Sequence, residues 1–387
     1  MNKKEKKFKW KKIIPVVSFM LIGGISGFYM GKYIALVSNE GETPFKRLFN
    51  TGIIILIMYI AIILQIIIHE AGHLIGGLIS GYKFSSFRVF NLMLLKENEG
   101  FKFKKLSLAG TGGQCLMIPP DPIDGKIPYR LYNLGGPIIN LVTSLIFLGV
   151  YILVPNAKFI SSFFFMLSII GITFAIMNGV PMKFGGINND GDNALSLGKN
   201  SSALKGFWVQ MKVNELSSKG VRIKDMPEEL FFIPSDEEMK NSMSATIAVF
   251  TCNRLMDENK FEEAQKLIRS FLDADTAIVG LHNSLLICDE IYCKVINGSS
   301  KEEIDVLLNK EQKKFMKSMK KFPSVLRTQY AYSLIIEEDL DKANKFKKQF
   351  NKISSTYPYK SEIESEYKLL EIADKKANGF QLREEMQ

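Results

Sequence analysis

Long runs without charge decide most of what this chain can fold into. Ile13 to Gly31, Gly52 to Ile68, Leu131 to Val154 and Phe159 to Met182 contain no charged residue, and the second run stays apolar past His69 and Glu70 to Ile79. At ~1.5 Å per residue, roughly 20 apolar residues cross the hydrocarbon of a bilayer. The runs are apolar on every side, unlike the one-sided stripe of a surface helix. Four membrane spans are therefore expected, with the lipid bilayer as a partner.

The rest of the chain is different in kind. The mean hydropathy of +0.05 averages an apolar first half and a charged, soluble second half. With 387 residues the chain is too long for one compact core and suits two domains. Much of the net charge of +10 sits in the opening segment, MNKKEKKFKWKK, directly before an apolar run. That is the positive-inside pattern, with attraction to anionic lipid; no nucleic-acid motif accompanies it, so no nucleic acid is expected as a partner. The opening apolar run is long and ends without a small-residue cleavage site, which reads as a retained span. Cys115, Cys252, Cys288 and Cys293 form no CxxC pair, so reduced thiols are expected.

Lys and Arg in the connections set the orientation. The basic N-terminus should be cytoplasmic. The 39–50 connection balances Lys46 and Arg47 with Glu40 and Glu42 and should face out. The 80–130 segment, with Lys83, Arg88, Lys96, Lys102, Lys104, Lys105, Lys126 and Arg130, should face in, and the turn from Pro155 to Lys158 out again. The expectation is a multi-pass protein of the cell membrane with both termini cytoplasmic.

Within 80–130, FRVFNLMLL and GFKFKKLSL flank KENEG, which predicts a β-hairpin. An edge strand there would pair with an extended peptide. From about 200 the pattern is amphipathic and helical. RLMDENKFEEAQKLI and YSLIIEEDLDKANKFKKQF both read as helix, turn, helix, with Ala264 and Ala343 in the second helix of each. This has tetratricopeptide-type character without the full consensus. The fold class is thus mainly α: a polytopic helical membrane protein of about four spans, a cytoplasmic β-hairpin loop and a C-terminal helical domain. The expected divisions are 1–38, basic flank and first span; 39–198, the core with three spans; and 199–387, the cytoplasmic helical domain.

One pentapeptide carries chemistry. Residues 69–73 read His-Glu-Ala-Gly-His. On a helix, positions i and i+4 share a face, so His69 and His73 can take two corners of a tetrahedral zinc site. Such an ion polarises a carbonyl and brings the pKa of a water down to about 7. Glu70 beside it is placed to take a proton and pass it to a leaving amine. The chain has three histidines, and two fall in this motif. Two imidazoles and a carboxylate are costly in a membrane helix unless paired or metal-bound. His282, in the soluble part, reads as structural. A third ligand is needed. Asp190 and Asp192 follow the last apolar run in MNGVPMKFGGINNDGDN; Asp190, before Gly191, is the first choice and Asp192 the alternative.

HEAGH in an apolar helix, GPIIN at 136–140 in the next span, and an Asn-x-x-Pro with a later Asp-Gly after the following one resemble the site-2 protease family of intramembrane zinc proteases. The resemblance covers roughly residues 52–195. It implies that His69 and His73 bind Zn2+ with Asp190 as the remaining ligand, and that Glu70 is the catalytic acid/base. It also implies that Asn140 and Asn178 lie near the site, holding substrate or stabilising the oxyanion. Here the connection from Asn-x-x-Pro to Asp-Gly is longer, through Lys183 to Asn189. Cys115, in GGQC, reads as an ordinary loop thiol.

The expectation is an intramembrane zinc metalloendopeptidase that cuts a membrane-tethered protein or hydrophobic peptide, with the helical domain recruiting substrate or a protein partner. The alternative is a catalytically silent membrane adaptor that binds its partner through that helical domain. A transporter-type reading leaves the HExxH spacing unexplained.

Overall fold

The computed structural model describes residues 17, 20–21, 23–32, 35, 43–97, 100–106, 111–154, 158–184 and 187–384. Contacts divide the chain into two compact units, Met1–Val89 with Thr111–Lys199, and Phe90–Gly110 with Asn200–Gln387. The boundary at Lys199 falls where the apolar half ends; the 90–110 segment groups with the helical unit.

The first unit is built on three long helices: α1 (Pro44–Ile79), α2 (Tyr129–Leu153) and α3 (Lys158–Gly179). All three are long and apolar enough to cross a membrane, which associates the protein with one. Of the expected first span, residues 17, 20–21 and 23–31 are described and all are helical; the others lie outside the described residues. Helix α1 starts earlier than the uncharged run. Thr43 caps it by accepting from Lys46 N, and Pro44, whose missing N–H costs nothing in a first turn, opens it. Lys46 and Arg47, expected in a connection, therefore ride on its first turns. At the other end Ser80 Oγ donates to the Gly76 carbonyl and Gly81 takes φ +83°, which stops the helix. Helix α3 stops ahead of Pro181.

Exposed Ile55, Leu56, Leu141, Leu145 and Ile146 face outward, as lipid-facing residues do. Polar Gln65, His69, Glu70, His73, Asn133, Asn140 and Ser144 are turned inward. Helices α1 and α2 meet backbone to backbone: a Cβ on Gly72 or on Gly135 would overlap the carbonyl of the other. Small residues at a membrane helix seam permit such an approach. Strands β1 (Lys83–Val89) and, later in sequence, β4 (Gly113–Ile118) pair antiparallel, with a bulge between Phe84 and Ser86. After α3, β5 (Lys183–Phe184) and β6 (Ile187–Asn188) form a small antiparallel ribbon that leads into the short helix α4 (Asp190–Ser196).

In the second unit, β2 (Leu92–Glu97) and β3 (Gly100–Lys105) form the expected hairpin, with Leu92 opposite Lys105 and Glu97 opposite Gly100. Its Met93 and Leu95 are buried in a core with Tyr292, Leu326 and Phe350. Helices follow from α5 (Ser201–Ser218) onward. α6 (Ser242–Asp257) and α7 (Phe261–Asp273) form one helix-turn-helix, and after α8 (Gly280–Asn297), α9 (Lys301–Asp305) and α10 (Lys310–Ser318), α11 (Pro323–Ile335) and α12 (Leu340–Ser354) form another. Asn259 (φ +60°) and Glu338 (φ +53°) supply a left-handed turn at the same offset before Ala264 and Ala343, and both alanines are buried. The two segments read as similar in sequence are therefore similar in geometry. Helix α13 (Lys360–Glu384) follows.

Candidate metal centre

Helical spacing on α1 brings His69 and His73 onto one face, and α4 carries Asp190 to them. His69 Nε2 lies 3.1 Å from Asp190 Oδ2 and 3.1 Å from His73 Nε2, which is itself 3.4 Å from Asp190 Oδ2. Among the described residues this is the one group of three or more His, Cys, Asp or Glu whose ligand atoms converge within 4.8 Å.

The far nitrogen of each imidazole decides what the near one offers. His73 Nδ1 sits 2.8 Å from the Tyr132 carbonyl, which can only accept, so His73 Nδ1 carries the proton. His69 Nδ1 sits 2.5 Å from Asn140 Oδ1. The Asn140 amide is fixed the same way: its Nδ2 donates to the Gln65 main-chain carbonyl (3.1 Å) and to Gln65 Oε1 (2.6 Å). Gln65 Nε2 in turn donates to the Leu167 carbonyl of α3 at 2.7 Å. His69 Nδ1 is thus also the donor. Both Nε2 lone pairs then point at one carboxylate oxygen, an arrangement that could hold a cation between them.

Asp190 is mostly buried. Burial works against its charge, so the carboxylate needs positive charge beside it to stay ionised. Asp192, on the same helix, lies outside the cluster: its Oδ2 is 3.7 Å from Lys183 Nζ and accepts from Ser196 Oγ.

Glu70 is 7% exposed and lies against β4, where a Cβ on Gly113 would strike its carboxylate. Gly113 in turn is held by Arg88 of β1, whose Nη2 donates to the Gly113 carbonyl and to Thr111 Oγ1. Tyr132 Oη donates to the Cys115 carbonyl of β4. Cys115 itself stays outside the metal cluster, and burial, with the Glu70 charge, pushes its thiol up to about 12. Asn178 donates to the Phe174 carbonyl inside its own helix, and His282 lies on α8 of the second unit. Of the two asparagines singled out in the sequence, Asn140 touches a histidine of the cluster.

Gln65, Tyr132, Arg88 and Gly113 are site residues that the sequence reading passed over. Gln65 carried a signal: an amide in an otherwise apolar run, one helical turn before His69. Tyr132 binds His73 through its main chain, which no side-chain pattern announces.

Gly136 leaves the site its room. A Cβ there would stand 2.6 Å from His73 Nε2 and 2.7 Å from His69 Cε1, and both rings are pinned at their other nitrogen. Gly136→Ala is expected to lose bound divalent metal while the helix content of the purified protein, followed by circular dichroism, stays unchanged. A metal content equal to wild type would contradict this account of the pocket.

The chain was compared with protein-family models, curated proteins and solved structures, and none matches it.

Proposed function

We propose that this protein is a membrane-embedded zinc endopeptidase of the site-2 protease type, acting on a membrane-tethered protein or hydrophobic peptide. The observation that carries the proposal is the convergence of one carboxylate oxygen, from α4, on two fixed imidazole Nε2 atoms of a helix able to span a bilayer, with Glu70 on that same helix. Two histidines and one carboxylate are the protein ligands of many catalytic zinc sites, which keep a fourth position open. When bound, the ion supplies Lewis acidity to the scissile carbonyl and to the attacking water.

The chain's own residues do the rest. Asn140 and Tyr132 hold the imidazoles in the ligating tautomer. Glu70 receives the proton of the attacking water and returns it to the leaving nitrogen. Strand β4, paired with β1 along one edge, offers an extended peptide main-chain partners beside Glu70. A helical substrate has its carbonyls engaged, so it must unwind to be cut. In this reading the N-terminal apolar run is a fourth span. The 199–387 region is a cytoplasmic, tetratricopeptide-like module that receives substrate or a protein partner.

The test is the zinc content of detergent-purified full-length protein. About one zinc per chain is expected in wild type and a loss of it in His73→Ala. A wild type that takes up no zinc after reconstitution with zinc salt would overturn the proposal in favour of the silent adaptor.

A further inference from the structure

The connection that delivers Asp190 is longer than the site-2 protease pattern leads one to expect, yet Asp190 still reaches the histidines. The chain leaves α3 and runs to Met182. It turns through β5 and β6 and comes back at Asn189, whose main-chain N–H donates to the Met182 carbonyl at 3.0 Å. The extra residues are looped out between two positions that bond directly to each other.

The Asn189 side chain closes the loop. Its Oδ1 accepts from Met182 N at 3.0 Å and, as the cap of α4, from Asp192 N at 2.9 Å. Its Nδ2 donates to the Met177 carbonyl at 2.8 Å and to the Val180 carbonyl at 2.6 Å. Two N–H donors and two acceptor lone pairs are the whole capacity of an amide, and all are used. On the other side of Asp190, Gly191 packs on the end of α3 so closely that a Cβ would overlap the Gly179 carbonyl. Asp190 is thus gripped from both neighbours against the end of the helix.

We infer that Asn189 is the positioning residue of the metal centre: it fixes Asp190 to the end of α3, and the β5–β6 ribbon contributes nothing to ligand placement. The inference rests on the zinc reading of the site. No other residue type reproduces the clasp. Aspartate would set carboxylate oxygens against the Met177 and Val180 carbonyls, and alanine removes all four bonds. Partners that orient a metal ligand are worth about 10–100-fold in affinity.

The experiment is zinc affinity of the full-length protein by competition with a chromophoric chelator, with the visible spectrum of the Co2+-substituted protein as a record of ligand geometry. Asn189→Ala and Asn189→Asp are each expected to bind zinc about 10–100-fold more weakly, with an altered Co2+ spectrum and unchanged circular dichroism. A Gly-Ser pair inserted between Gly185 and Gly186 is expected to leave affinity and spectrum as in wild type. Wild-type affinity in Asn189→Ala would overturn the inference while leaving the zinc site standing. So would a loss of affinity on lengthening the hairpin, a result that does not depend on the Asn189 variants folding. A wild type that binds neither ion overturns the reading of the site itself.

Discussion

Glu70→Gln is expected to keep its zinc and lose peptide hydrolysis by roughly 10²–10⁴-fold, the range general acid–base catalysis commonly supplies. The two halves of that expectation have separate grounds. Metal is kept because Glu70 is not among the converging ligands, and glutamine fills the same volume against Gly113. Hydrolysis is lost because an amide cannot accept the proton of the attacking water. The measurement pairs metal analysis with turnover of a membrane-tethered reporter in the same preparation. Turnover within a few-fold of wild type would sink the assigned role of Glu70, whatever the zinc content.

The second large effect separates two carboxylates that sequence alone left side by side. Asp190→Ala is expected to weaken zinc binding by more than the roughly 10–100-fold of an outer-shell change, because it removes a ligand outright. Asp192→Ala is expected to keep the metal. Asp190 Oδ2 stands within 3.4 Å of both imidazoles, whereas Asp192 faces Lys183, a half-exposed partner whose ion pair contributes little. Chelator competition on both variants decides between them. Zinc lost with Asp192→Ala and kept with Asp190→Ala would move the ligand.

Much of this was legible in the residues, for identifiable reasons. Charge-free runs mark α1, α2 and α3 because lipid tolerates little else. The hairpin around KENEG and the two helix-turn-helix segments show themselves through period and turn residues. Helix spacing places His69 and His73 together without any tertiary knowledge. The start of α1 was missed because Thr43 and Pro44, a cap and an opener, stand outside the apolar run they begin. The division at Val89 was missed because it turns on where Met93 and Leu95 are buried, a long-range fact. The choice of Asp190 over Asp192 depends on a loop closed by one amide. The roles of Tyr132 and Gln65 run partly through main-chain carbonyls, and every residue has one.

Tyr132 makes three contacts of different kinds. Its carbonyl holds His73, its hydroxyl holds strand β4 at Cys115, and its ring lies stacked on Tyr82 at 5.1 Å. A single stiff aromatic residue therefore ties His73 to the strand that lies beside Glu70. The ring of His73 and the main chain of β4 are thus referred to one side chain and its own backbone, inside a buried part of the first unit.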